Sequence, residues 1–443
     1  MTRALYVLGC VAAGVGGVTA SDRVRAPTAA LPVAAEVHTR PGADSARVAR
    51  LLSALAQSDP VVCDMIGDQL GNFWMGSDDA RLGRFEDAPD VQGTKDSLAG
   101  TITDPRAMAL LETSLETDNA CVRRVAAKLL ENSTISAAEL GRLLDDARPR
   151  VRESAAYAAG VGERRETRVG LERRLADSAA VAAMAAWALG EMQDPASAPA
   201  LQKAVQSPSP RVRLASVWAL GKFEDASFAK DVMPLLRDSD PGMRVIAAEA
   251  LGRMKSPRVG SALIGLLADR SVAVRRTAVN ALGNMEERSA ATQLESLLLN
   301  DPDPEVRREC ANALGNISLS RSLEALARAL DDQDADVRRE AANAIGNLDD
   351  VAKAPPALIR ATSSPDVDLR RQATDALAHI GDPAAVQALL ERLRDEEKDI
   401  RLAAVKGLGD MNVAAAIPGL TRALNDRDPE VRQAAAEALG KTQ

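Results

Sequence analysis

The chain has 443 residues, a net charge of −8, and a composition that is 46% apolar but only 2% aromatic. Its apolar residues are mostly Ala, Leu and Val, and β-branched or aromatic runs bounded by turn residues are missing, so a sheet protein is excluded and an all-α fold is expected. The acidic balance excludes a general nucleic-acid binder, which would carry a basic excess, though not a local basic patch.

Residues 1–20 read as an export signal. Arg3 is a minimal positive start, Ala4 to Val18 is an apolar run, and Val18-Thr19-Ala20 places small or compact residues where signal peptidase cuts. The run is short against the ~20 residues of a membrane span, which favours cleavage after Ala20 over an uncleaved anchor. Val7-Leu8-Gly9-Cys10 also resembles a lipobox, but few apolar residues precede Cys10 and the run continues past it. A membrane-anchored lipoprotein is therefore the minor alternative to a periplasmic or extracellular protein. Residues 21–44, rich in Ala, Pro and Val and without periodicity, read as a flexible tether.

From residue 45 a repeat becomes visible, loosely at first. In "SDPVVCDMIGDQLG", Val62 is followed nine positions later by Gly71, and Val91 with Gly100 is a fainter copy. The segment 71–100 carries Phe73, Trp74 and Phe85 around a Gly/Asp-rich stretch and reads as a capping layer over 45–114. From 115 to 443 the pattern is firm. An apolar anchor ahead of a second, fixed position recurs at Val122, Val151, Val181, Val212, Met243, Val274, Val306, Val337, Leu369, Ile400 and Val431, at intervals of 29 to 32 residues. Asp stands three before the anchor at Asp240, Asp303, Asp334, Asp366 and Asp428, with Pro next at Pro241, Pro304 and Pro429. That pair suits an N-cap and first helical turn. Apolar residues at 0, +4, +7, +8 and often +11 trace a helical stripe, as in Val337, Ala341, Ala344, Ile345 and Leu348. Glycine at +9, from Gly190 to Gly440, is expected to end the helix in left-handed geometry. A second helical segment fills each period, and two short helices bury their apolar faces only by stacking on neighbours.

The core "DRDPEVRQAAAEALG" at 426–440 resembles the HEAT repeat, in the short form of the phycobilisome-lyase type. The resemblance implies a right-handed α-solenoid of about 11–13 two-helix repeats of ~31 residues, with the anchor helices lining a concave face. It also implies a ladder in which Asp at −5 (Asp238, Asp269, Asp301, Asp332, Asp395, Asp426) pairs between layers with Arg at +1 (Arg244, Arg275, Arg307, Arg338, Arg401, Arg432). Spread over distant layers, Cys63, Cys121 and Cys310 are expected to be small buried residues, with no internal disulfide.

Positions +2 and +6 lie opposite the core stripe, one turn apart. Two zones emerge there. Tyr157, Trp187 and Trp218 occupy +6 in three consecutive units, flanked by Leu214 and Val245 at +2, and read as an exposed apolar partner site or as filling of a tight groove. The next four units carry Arg276, Arg308, Arg339 and Arg371 at +2 beside Asn280, Asn312, Asn343 and Asp375 at +6. These read as a cationic, hydrogen-bonding surface, or as a solvated face knitted by bonds between repeats. Together they suit an extended peptide or an amphipathic helix with acidic residues on one side.

Chemistry is not expected. His38 and His379 are the only histidines and sit too far apart in the pattern for a metal cluster, unlike the paired His-Glu motifs of deoxyhypusine hydroxylase, another HEAT-like family. No phosphate loop or nucleophile elbow occurs. The expectation is a non-enzymatic, cofactor-free exported scaffold that binds a protein or peptide, with no nucleic acid and no membrane contact beyond an uncleaved or lipidated N-terminus. The alternative, implied by the bilin-attaching lyase relatives, is a small prosthetic group on the aromatic face.

Overall fold

The computed structural model describes residues 43–57, 101–131, 133–256 and 258–441; the export signal, most of the tether, the copies at Val62 and Val91 and the segment 71–100 lie outside them. Helix α1 (Ala43–Ala56) and α2 (Pro105–Ser114) lead into an alternation of long and short helices. The eleven anchor helices are α3 (Ala120–Glu131), α5 (Pro149–Val161), α7 (Ala179–Met192), α9 (Pro210–Lys222), α11 (Pro241–Met254), α13 (Val272–Asn284), α15 (Pro304–Ile317), α17 (Ala335–Gly346), α19 (Val367–Ile380), α21 (Lys398–Met411) and α23 (Pro429–Lys441). Between them run α4 (Ala137–Leu144), α6 (Arg168–Arg174), α8 (Ala198–Ala204), α10 (Ala229–Val232), α12 (Gly260–Leu266), α14 (Ala291–Asn300), α16 (Leu323–Ala329), α18 (Pro356–Ala361), α20 (Val386–Arg392) and α22 (Ile417–Ala423). Among the described residues no strand forms; a single isolated bridge joins Ile102 to Ser133.

The capping aspartates act as their spacing requires. Asp303 accepts hydrogen bonds from the N–H groups of Glu305 (2.9 Å) and Val306 (3.2 Å), and Asp334 and Asp366 repeat the arrangement in the following units. The glycines at +9 do not act as expected. Helices α7, α11, α15 and α21 run past their glycines, and the left-handed residue comes three positions later, at Gln193 (φ 46°), Lys255 (φ 45°), Ser318 (φ 51°) and Asn412 (φ 49°); α17 stops on Gly346, without a left-handed residue there. What glycine supplies is proximity. A Cβ on Gly221 would lie 2.8 Å from the Cα of Ala250, the +7 residue of the next anchor helix, and Gly190 meets Ala219 in the same way. Successive anchor helices therefore approach backbone to backbone.

The short helices contact their counterparts in neighbouring layers far more sparingly than the anchor helices do. A stack drawn tighter on one side curves toward that side, so the anchor helices line the inner face of an all-α solenoid. The anchors are buried throughout, and the core is one continuous apolar column running from Val48, Leu52 and Leu55 of α1 to Ala438 of α23. Helices α1 and α2 pack on α3, so residues before 115 join the same core.

The charged ladder forms and is largely buried. Arg275 makes a two-pronged bond to Asp301 of the next layer, Nε and Nη2 donating at 2.8 and 2.9 Å, while Nη1 donates to the carbonyl of Asp269 in its own layer. Arg152–Asp177, Arg244–Asp269, Arg307–Asp332, Arg370–Asp395 and Arg401–Asp426 repeat it. Arg338 departs from the expectation: Ser364 stands where its aspartate would be, and Arg338 binds the carbonyls of Asp332 and Gln333 instead. The junction is bridged by Arg339, whose Nε donates to the cap Asp366 at 3.0 Å. One further correction concerns sulfur. Cys121 is disulfide-bonded, whereas Cys310 is a buried free thiol.

Candidate interaction surface on the inner face

The aromatic row is packed, not open. Tyr157, Trp187 and Trp218 expose only 3%, 8% and 9% of their surface, and Leu214 and Val245 are equally buried. The rings stack on one another, Tyr157 on Trp187 at 5.4 Å between centroids and 13° between planes, Trp187 on Trp218 at 6.4 Å and 18°. Lys222 places its Nζ 5.3 Å from the Trp218 ring, a cation–π contact that closes one end. The +9 glycines create the berth: a Cβ on Gly160 would meet Cζ3 of Trp187 at 2.8 Å, and one on Gly190 would meet Cζ3 of Trp218 at 2.9 Å. Burial pushes the Tyr157 phenol above its ordinary pKa. Helix α7 is buried without a break from Val181 to Gly190. The expected exposed apolar patch is thus a set of inter-layer stacking contacts.

Beyond α11 the inner face opens. Helix α15 buries only Val306, Cys310, Ala311, Ala313, Leu314, Gly315 and Ile317, so its opposite side faces solvent. Arg276, Arg308, Arg339 and Arg371 all lie on that side in successive layers, half-buried. Carboxylates already answer them. Arg308 meets Glu305 and Glu309, both at 2.8 Å; Arg339 meets Asp336 at 2.6 Å; Arg371 meets Asp368 at 2.8 Å; Arg276 lies 3.9 Å from Glu305. Glu340 adds a further acid, accepting from Asn343 at 3.1 Å and from Asn312 of the preceding layer at 3.4 Å. Asp375 is exposed at the end of the row and Asn280 half-buried at its start. Of the two expectations for this face, the cationic one does not describe it: Glu305, Glu309, Asp336, Glu340, Asp368 and Asp375 outnumber the four arginines.

Sequence reasoning at +2 and +6 missed two neighbouring columns. The acids at −1 lie one turn before the arginines, and those at +3 follow them directly. At +10 stand Asn284, Asn316 and Asn347, and Asn316 donates to Asn312 at 3.3 Å, so the +6 and +10 asparagines form one double column over α13, α15 and α17. The i, i+4 spacing was legible; only the choice of columns hid it. Burial raises the Glu309 carboxyl pKa, and although Arg308 and Arg276 oppose this, Glu305 and Glu340 add to it.

Among the described residues no cluster of His, Cys, Asp or Glu is arranged to hold a metal, and no helix is long and apolar enough to cross a membrane. His379 is exposed.

HEAT repeats match the chain in six overlapping windows, 169–236, 229–301, 261–346, 291–378, 324–402 and 386–443, which together span well over half its length. No curated protein matches it. Among solved structures, importin beta aligns at a TM-score of 0.52 and 14% identity, over 76% of this chain and 56% of importin beta. An engineered protein aligns at 0.48 and 21% identity, over 69% of this chain and 98% of its own. Kap95p, solved with RanGDP, aligns at 0.49 and 15% identity, over 90% of this chain and 60% of that one. The chain thus spans little more than half the length of the two natural relatives, and these likenesses concern the fold.

Proposed function

Because the chain belongs to the HEAT-repeat family, we propose that it is a non-enzymatic interaction scaffold that holds a segment of a partner protein along the inner face of α13 to α19. One observation carries this reading. Over these four layers the guanidinium column is unbroken, with paired asparagines on α13, α15 and α17 and carboxylates on α15, α17 and α19 beside it on the solvent side, whereas α7 before them is closed by its own stacking. A surface kept in register by a buried Arg–Asp ladder offers a partner repeated, equally spaced polar contacts at little cost in ordering. The lyase-like alternative is less well supported, since the stacked aromatic row offers a planar prosthetic group no open face. The likeness to the phycobilisome-lyase type then rests on repeat length.

Export belongs to the same proposal. The bonded state of Cys121 is one that an oxidising compartment maintains, which supports the reading of residues 1–20 as a signal. The test is a photo-crosslinking amino acid placed at Asn316 on the inner face and, as a control, at Val169 on the outer surface. An adduct with one defined protein segment at Asn316 and none at Val169 is expected. Equal adducts, or none at Asn316, would overturn the placement. Recovery of the mature chain from the envelope with a new N-terminus near residue 21 is expected from export, and an intact N-terminus in the cytoplasmic fraction would refute it.

A further inference from the structure

Resting on the placement just proposed, we infer that the occupant of α13–α19 is an extended, non-helical peptide segment bearing basic side chains, its main chain held by the double asparagine column. The geometry argues for backbone recognition. Asn280, Asn284, Asn312, Asn316, Asn343 and Asn347 stand in pairs on three successive layers. Each primary amide offers two donors and an acceptor, the complement of a peptide group, which carries one donor and one acceptor. Asn280, Asn284 and Asn347 make no side-chain hydrogen bond among the described residues; the Asn316–Asn312 bond at 3.3 Å and the Asn312–Glu340 bond at 3.4 Å are long enough to exchange for better ones, and only Asn343 holds Glu340 at an ordinary 3.1 Å.

A helix would not use such a column, because its peptide groups bond internally and present side chains only. An extended chain leaves its N–H and C=O groups unspent. Layers whose helix axes lie about 8–10 Å apart would each face roughly two to three residues at ~3.3 Å per residue. The asparagine layers and α19 together then span about ten to twelve residues.

Charge selects the side chains. Around Arg308 stand Glu305, Glu309 and Glu340, whereas Asp336 and Asp368 are each matched by an arginine of their own layer, Arg339 and Arg371. Glu309 shares Arg308 with Glu305, and burial raises its carboxyl pKa against the pull of Arg308 and Arg276. Glu340 takes its hydrogen bonds from asparagines alone, so a lysine or arginine from the occupant would meet carboxylate in local excess over guanidinium, whereas an acidic residue would meet repulsion.

The test uses fluorescence anisotropy on the full chain with three labelled twelve-residue probes: a lysine-bearing peptide kept extended by spaced prolines, its glutamate counterpart, and a lysine-bearing amphipathic helix. The extended lysine probe is expected to bind best. Asn312→Ala/Asn343→Ala is expected to weaken it about tenfold, consistent with roughly two lost hydrogen bonds, with the melting temperature unchanged. Glu309→Gln/Glu340→Gln should weaken the lysine probe and raise the affinity of the glutamate probe. Preference for the helix or for the glutamate probe would overturn the inference while leaving the groove in use. To separate the two failures, a random peptide library is selected on the same protein. Binders that compete at a spin label on Asn316 but share no basic, extended character refute the inference alone, and binders that ignore that label refute the placement as well.

Discussion

Gly221→Ala is the most searching perturbation of the stack. In an isolated helix the change should help, by about 0.5–1 kcal/mol, because alanine loses less backbone entropy than glycine. In this fold the new Cβ falls 2.8 Å from both Cα and Cβ of Ala250. Comfortable carbon contacts are about 3.5–4.0 Å, so the layers must part by roughly 0.7 Å or more. The obstacle is backbone and has no rotamer to escape into. Overpacking of this kind costs about 1–3 kcal/mol, and the displaced layers also lose part of their dispersion contact. The net expectation is a destabilisation of about 1–2 kcal/mol, read as a lower urea midpoint by far-UV circular dichroism. Gly265→Ala is the control: nothing lies within 4 Å of its added Cβ, and it should raise the stability by about 0.5–1 kcal/mol, read as a higher midpoint. If Gly221→Ala stabilised the chain as much as Gly265→Ala, close approach would not be what those glycines supply.

Asp301→Ala strands the buried guanidinium of Arg275 and should cost about 3–5 kcal/mol, whereas Asp331→Ala, which removes the exposed partner of Arg360, should leave the urea midpoint where it was. Burial pulls the ladder aspartates Asp269, Asp332, Asp395 and Asp426 upward, but the facing arginines and backbone N–H donors outweigh it and hold their pKa values below the ordinary range. Depressed folded-state values mean that the ladder's stabilisation is complete above the unfolded pKa of about 4 and is lost as pH falls below it; urea midpoints should be flat from pH 6 to 8 and drop steeply under pH 4, and a flat profile to pH 2 would refute this. Trp187→Ala should cost about 3–5 kcal/mol through the cavity left in the stack, and a midpoint within error of wild type would show the row to be surface. Cys310 should resist a thiol reagent in the native chain, because it is enclosed and burial raises its pKa, and should react fully in denaturant.

The repeat period, the capping aspartates and the core stripe were legible in the chain, because each depends on contacts that recur at one fixed spacing. The pairing of Arg275 with Asp301 came instead from the resemblance to the HEAT repeat. The fate of the glycines was not legible. Helix-ending glycine and helix-packing glycine leave the same letter, and only the position of Ala250 against Gly221 tells them apart. The sequence left Trp187 and Trp218 between a partner site and groove filling for the same reason: a helical wheel puts +6 opposite the core but contains no neighbouring helix, and the glycine of the preceding layer lets each ring lie down between layers. The cationic reading of the polar face arose because the arginines were read in a single column, while their carboxylate partners stand at −1 and +3 and in the next layer.

The sequence by itself determined that this protein is an α-solenoid with its layers in register, since helix periodicity and capping are local and repetition multiplies them. Which part of the inner face stays open, and what charge it carries, was decided by how closely consecutive helices approach. That distance is a property of two surfaces meeting, and it is written in no single repeat.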